Sequence, residues 1–228
     1  MKNDILVLIP ARSGSKGIKD KNIEKIKGKT LLNITVEFAM TLFKPENICV
    51  STDSKKYKKL VESGTCLSIP FLRPNRISTD TSTNRDYILH ALNYYKSKNR
   101  YFNWVLILQC TSPIRNKSDI RKAIKLTNYD YDMIASVHIT DSNPFYVQRR
   151  INSEGLLEPL FNERFTRRQD CPEIYELNGN FFLVNVNSIK KKNMNQFDKV
   201  FPLVIDKLNS FDIDDKIDLE IVKSLYKN

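Results

Sequence analysis

Two stretches of the chain, Ile5-Leu6-Val7-Leu8-Ile9 and Trp104-Val105-Leu106-Ile107-Leu108, are apolar without interruption over about five residues. Runs of that length and composition predict strands buried on both faces. Between them the apolar positions change period. Leu31, Ile34, Thr35, Phe38, Ala39 and Leu42 fall at helical spacing behind Thr30, a residue suited to cap a helix. Ile48-Cys49-Val50 predicts a short strand, and Ser54 a cap for a helix reaching about Gly64. Leu67 to Phe71 reads as a further, weaker strand. A helix from about Arg85 carries Ile88, Leu89, Leu92 and Tyr95. Ser118 opens another, Met133 to Val137 and Phe181 to Val184 are strands, and Ile217, Ile221, Val222 and Leu225 mark a last helix.

This alternation predicts an α/β fold, with a mostly parallel sheet and helices on both faces. The whole chain, 1–228, reads as one domain. The rhythm breaks at about 140–170, where Phe145, Tyr146, Val147, Ile151, Leu156, Leu157, Leu160 and Phe161 follow no sustained period. A stretch that long and that apolar is expected to be an excursion engaged with a partner. Open α/β sheets bind ligands at the carboxyl ends of their strands. That directs attention to the residues after Ile9, Val50 and Leu108, and to the segment around Asp212.

Composition narrows the setting. No run approaches the ~18 apolar residues of a membrane span, and the first residues lack a signal-peptide pattern. Cys49, Cys66, Cys110 and Cys171 contain no C-x-x-C pair, and three lie in or beside apolar runs, so buried thiols and a cytoplasmic setting are expected. With only His90 and His138, a Ser/His/Asp mechanism has little to build on. The net charge of +11 admits binding of RNA or another polyanion. Its distribution argues otherwise. Seven bases stand against two acids from Arg12 to Lys29, whereas six acids stand against two lysines from Asp206 to Glu220. A polyphosphate at one end of a site and a divalent metal at the other would use both blocks.

Four segments carry candidate chemistry. After the first strand, Ser13, Gly14 and Ser15 let backbone N–H groups approach an anion, and Arg12, Lys16 and Lys21 supply charge. The spacing matches neither a Walker loop nor G-x-G-x-x-G, and a basic surface turn is the plain alternative. After the second strong strand, Gln109 offers an amide that both donates and accepts. Asp212 and Asp214, two apart around Ile213, suit Mg²⁺ or Mn²⁺ if that segment is extended, while Asp214 or Asp215 equally suits a helix cap. Arg168 can grip a carboxylate with two parallel hydrogen bonds, or merely belong to a solvated basic stretch.

In this order the segments resemble the CMP-sialic acid synthetase (acylneuraminate cytidylyltransferase) family. The opening from Ile9 to Asn22 resembles I-P-A-R-x-x-S-K-G-(x)3-K-N, and Leu108 to Arg115 matches L-Q-x-T-S-P-x-R. Arg73-Pro74 with Ser78 to Thr81, then Arg168-Gln169, Pro172 and Asn178-Gly179, then Ser210 to Asp214 complete the pattern. The resemblance implies a Rossmann-like nucleotidyltransferase that joins CTP to a nine-carbon 2-keto sugar acid as a homodimer, binding neither nucleic acid nor membrane. It implies that Arg12 to Lys21 hold the triphosphate, with Arg12 and Lys21 also catalytic. Asn22, Arg73 and Asn84 would surround the nucleotide, while Gln109, Arg168 and Phe182 would meet the sugar acid. Asp212 and Asp214 would bind Mg²⁺ or Mn²⁺ and take part in catalysis. Tyr146 stands where sialic-acid members tend to carry Lys, closer to the legionaminic-acid type; pseudaminic and eight-carbon keto acids are alternative acceptors.

Overall fold

The computed structural model describes residues 4–14, 17–163 and 165–226. The strands are β1 (Ile5–Pro10), β2 (Lys25–Ile26), β3 (Lys29–Thr30), β4 (Ile48–Ser51), β5 (Trp104–Ile107), β6 (Met133–Ile139), β7 (Arg149–Ile151), β8 (Leu157–Pro159), β9 (Tyr175–Asn185) and β10 (Val200–Val204). The helices are α1 (Leu31–Met40), α2 (Lys55–Gly64), α3 (Asn84–Lys96), α4 (Lys117–Lys125), α5 (Val186–Lys191) and α6 (Lys216–Leu225).

The central sheet runs in the order β10-β6-β9-β5-β1-β4. β1 is parallel to β4 and β5, and β10 to β6, while β9 runs antiparallel between β5 and β6. The alternation of β1 side chains divides the core. Ile5, Val7 and Ile9 pack with apolar residues of α1, α2, α4 and α6 on one face. Leu6 and Leu8 pack with those of α3 and α5 on the other. The expected mostly parallel sheet with two covered faces is the observed one. From β1 the chain moves to β4 on one side and then to β5 on the other, so β1 lies where a ligand crevice opens.

Local signals set the helix starts. Thr30 Oγ1 accepts the Asn33 N–H at 3.2 Å, and Ser54 Oγ the Tyr57 N–H at 3.3 Å. Thr83 and Asp86 form a reciprocal capping box for α3. α4 begins one residue before Ser118, because the Asn116 side chain accepts the Ser118 N–H and caps it. Leu67 to Phe71 does not form a strand; it runs unpaired beside α2, with Leu67 and Ile69 in the core. β10 escapes a periodicity reading because it is an edge strand with only Leu203 buried and Pro202 within it. Of the cysteines, Cys49 and Cys110 are buried but Cys66 is exposed.

The excursion lies between β6 and β9. It contains the β7–β8 hairpin and a stacked pair, Phe145 on Phe161 at 4.5 Å between centroids. Val147, Ile151, Leu156, Leu157 and Phe161 are exposed, as are Ile139, Tyr175 and Leu177 on the outer ends of β6 and β9.

Candidate active site

The segment after β1 leaves the sheet and is folded back by its own polar groups. Asn22 is buried and donates to the Arg12 carbonyl at 3.0 Å, tying the two ends of the turn together. Asp20 adopts a left-handed φ of 58° and accepts hydrogen bonds from Tyr57 Oη and Lys56 Nζ, each at 2.9 Å. The Lys56 bond, then that from Tyr57, holds the Asp20 carboxyl below its ordinary range. Gly17 packs where a Cβ would lie 2.4 Å from the Asp214 carbonyl oxygen. Only glycine lets this loop touch the 212–214 segment so closely.

That contact joins the basic and acidic blocks. Lys21 Nζ donates to the Ile213 carbonyl at 2.5 Å and pairs with Asp214 Oδ1 at 3.2 Å. Ile213 is fully buried, and its N–H donates to the Thr111 carbonyl at 2.9 Å. Asp212 accepts from Ser112 Oγ at 2.9 Å. Asp215 is the helix cap, accepting the Ile217 and Asp218 N–H groups at 2.7 and 3.0 Å. Asp214 is thereby left with its side chain 83% exposed.

A cavity of about 530 Å³ opens between these segments. Its wall includes Arg12, Lys21, Asn22, Arg73, Asn84, Gln109 and Asp214, seven of the residues singled out from the sequence. Arg73 is buried; its Nε donates to Ser51 Oγ at 3.0 Å and its guanidinium lies 5.0 Å from the Tyr87 ring centroid. Burial lowers its pKa, with Tyr87 and Asp53 acting against that shift. Asn84 accepts from Tyr87 Oη at 2.8 Å. Gln109 sits where a Cβ on Gly179 would come within 2.8 Å of its Oε1, so Gly179, at φ 69°, makes room for that amide. Its backbone carbonyl accepts from Arg115, which also donates to Asn180 at 3.2 Å. Burial pushes the Arg115 pKa down to about 10, leaving it charged at neutral pH. Cys110 also lines the wall, but burial pushes its thiol up to about 12, so it is no nucleophile near neutrality.

Other singled-out residues lie elsewhere. Ser13 directs its N–H and Oγ at Asp53, at 2.7 and 2.6 Å, and Gly14 is exposed at φ 80°. Ser15 and Lys16 fall outside the described residues. Asp212 does not line the cavity; it accepts from Ser112, the residue after the lining residue Thr111. Phe182 is 8% exposed on β9 and packs in the core under α3. Arg168 is exposed and pairs with Asp141 at 3.1 Å, and Tyr146 is half-buried in the excursion. Neither side chain reaches this chain's own cavity wall. The sequence pattern carries no signal for Tyr87 and Ser82 on this wall; Asp53, after β4, and Asp80, inside the S-x-D-T segment, stand at marked places without a role assigned by pattern. Asp80 pairs with Arg12 Nη2 at 2.6 Å.

The sequence model of the family described as "Cytidylyltransferase" matches residues 6–228. The chain belongs to the cytidylyltransferase family. It is 33% identical over 225 residues to a CMP-N,N'-diacetyllegionaminic acid synthase of Legionella pneumophila, covering 97% of this chain and 95% of that protein. It is also 33% identical over 229 residues to an N-acylneuraminate cytidylyltransferase of Escherichia coli O18:K1:H7, with 97% of this chain but only 52% of that longer protein covered. A pseudaminic acid cytidylyltransferase of Campylobacter jejuni is 25% identical over 242 residues, covering 100% of this chain and 97% of that protein. Among solved structures, a CMP:2-keto-3-deoxy-manno-octonic acid synthetase complexed with CTP superposes with a TM-score of 0.69 over 97% of both chains, at 15% identity. At that identity the likeness speaks for the fold.

Proposed function

We propose that this cytidylyltransferase transfers CMP from CTP to the anomeric hydroxyl of a nine-carbon 2-keto sugar acid, releasing pyrophosphate. The observation that carries the reading is one cavity that brings Arg12 and Lys21 to Asp214 and Gln109. The named relatives act on acids of this kind, which supports the acceptor class.

The triphosphate would lie against Arg12 and Lys21, where two full positive charges offset its own and the charge gathering on departing pyrophosphate. The acceptor would enter past Gln109, whose amide can orient a hydroxyl or amide of the sugar. Arg73 and Asn84 would face the nucleoside.

Asp214, exposed on the cavity wall, and Asp212, two residues away and anchored by Ser112, offer two carboxylates. No cluster of three His, Cys, Asp or Glu side chains that could hold a metal occurs among the described residues. Such a sparse oxygen donor set fits Mg²⁺ or Mn²⁺, which keeps waters and phosphate oxygens as further ligands. When bound, the cation would polarise the α-phosphoryl group and lower the pKa of a coordinated hydroxyl.

We further propose a homodimer through the 140–174 excursion, whose exposed Ile151, Leu156 and Leu157 would bury one another across a two-fold axis. Arg168 and Tyr146 would then serve the partner's cavity. No helix among the described residues is long and apolar enough to cross a membrane. A cytoplasmic setting accords with the four free cysteines. Pyrophosphate release from CTP with legionaminic, N-acetylneuraminic, pseudaminic and eight-carbon keto acids tests the reaction. No release with any of them would overturn it.

A further inference from the structure

The basic loop is held by more than its own groups. Its first two residues are gripped by carboxylates from two other segments. Asp53, just beyond β4, accepts both the N–H and the Oγ–H of Ser13. Asp80, on the segment before α3, pairs with Arg12 Nη2 while sharing the cavity wall with it. Both acids stand next to the place assigned to a triphosphate. Electrostatics alone makes that unfavourable, since each negative charge repels the incoming anion. Their geometry offers a compensating gain. A guanidinium has five donors in a fixed fork, so an Arg12 held at one end by Asp80 still presents its remaining N–H groups. A Ser13 backbone fixed by two bonds to Asp53 aims the adjoining Arg12 in one direction.

We propose that Asp53 and Asp80 are positioning residues that hold Arg12 and the start of the basic loop in the shape that receives the triphosphate. This rests on reading the loop as the triphosphate site. The Arg12–Asp80 pair has side chains 32% and 44% exposed, and such pairs add little to folding stability. Its effect on binding can therefore be read apart from unfolding.

The test is equilibrium binding of CTP and of CMP to the full chain by calorimetry, with Mg²⁺ and without sugar acid. Asp80→Ala and Asp53→Ala should each weaken CTP by about tenfold, the scale of one well-placed charge-assisted contact. CMP, which lacks the β- and γ-phosphates, should bind as before. Asp53→Asn should stay near wild type, because its Oδ1 can accept the Ser13 N–H while its Nδ2 donates to Ser13 Oγ. In an Arg12→Ala background, Asp80→Ala should no longer weaken CTP and, with only its repulsion removed, should leave binding equal or slightly tighter, as expected of a residue acting through another.

Tighter CTP binding in the alanine variants would show that the acids are only repulsive and would overturn the proposal. So would unchanged CTP binding, or equal weakening of CTP and CMP, which marks general damage. If Asp53→Ala does not fold, Ser13→Ala removes one of the two bonds and should weaken CTP by about threefold, against no change if Asp53 is not positioning. Arg12→Ala and Lys21→Ala separate the two levels. If neither weakens CTP, the triphosphate reading itself fails; if they do and the aspartate variants do not, only this inference fails.

Discussion

The two ends of this molecule solve the same problem differently. At the carboxyl ends of β1 and β5 a polar loop is tied down by bonds within its own chain, through Asn22 on Arg12, Lys21 on Ile213 and Asp53 on Ser13. In the excursion between β6 and β9 several polar groups are met nearby, as in Arg150 with Glu158 and Asn152 with Leu156, while Lys207 reaches Asp141 from outside it and apolar side chains face outward. The bonds of the first region join segments far apart in sequence, from Lys21 to Ile213. The second has satisfied hydrogen bonds but unsatisfied apolar surface, and only another surface can remove that from water.

The largest expected effect tests that difference directly. Leu157 is 73% exposed on β8. In a two-fold dimer a Leu157→Lys change acts twice, and at about 1.5–3 kcal/mol per apolar side chain the dimer should weaken by roughly two to four orders of magnitude. Light scattering at micromolar concentration should show a dimer for the wild type and a monomer for the variant. A fully active wild-type monomer would break the comparison, since the excursion would then need no partner.

The self-contained end should fail without unfolding. Asp214→Asn removes a carboxylate that is mostly solvent-facing, and Asp212→Asn one held by Ser112. Turnover should fall ~100-fold or more in each, with an unchanged melting temperature. Full activity of both at saturating Mg²⁺ would return these residues to structural roles beside the Asp215 cap.

Somewhat less is expected of the cations. Arg12→Ala and Lys21→Ala each lose a charge-assisted contact worth about 1.5–3 kcal/mol, or roughly 10- to 150-fold in kcat/KM for CTP. Lys21 also bonds the Ile213 carbonyl, so its loss should loosen the 212–214 segment, whereas Arg12→Ala should not. Limited proteolysis near Asp214 distinguishes the two; equal resistance would show that Lys21 serves the ligand alone.

What the sequence made legible follows the same division. Uninterrupted apolar runs located β1 and β5 because burial on both faces leaves no room for polar residues. Seven of the singled-out residues meet in one cavity; Arg12 and Gln109 directly follow β1 and β5 and Asn84 follows the Thr83 cap, so there chain order and spatial order agree. Asp53 does follow β4, but neither it nor Asp80 signals the partner it holds. An acid that works by holding another residue's donor looks, in sequence, like any surface acid. β10 was hidden by its exposed edge and Pro202, and Leu67 to Phe71 read as a strand because apolar burial does not require a pairing partner. Phe182 belongs to a buried run, and nothing in a run distinguishes a side chain that packs the core from one that lines a pocket.

The smallest effect joins the two ends. Tyr146 is half-buried in the excursion and does not line its own chain's cavity, so the proposed contact with a bound sugar acid would be made across the proposed dimer. An aromatic ring there packs against a methyl or acetamido group, whereas a lysine would hydrogen-bond a more polar tail. A legionaminic acid has a deoxy C9 methyl and an acetamido group in place of hydroxyls. One methylene-sized gain or one polar contact is worth only ~1–3 kcal/mol, so the preference over N-acetylneuraminic acid should be about tenfold. Tyr146→Lys should narrow or reverse the ratio of kcat/KM for the two acids while leaving KM for CTP unchanged. The same ratio measured in the Leu157→Lys monomer decides whether the discrimination travels across the interface. A preference retained by the monomer would place acceptor choice within one chain, beside Gln109.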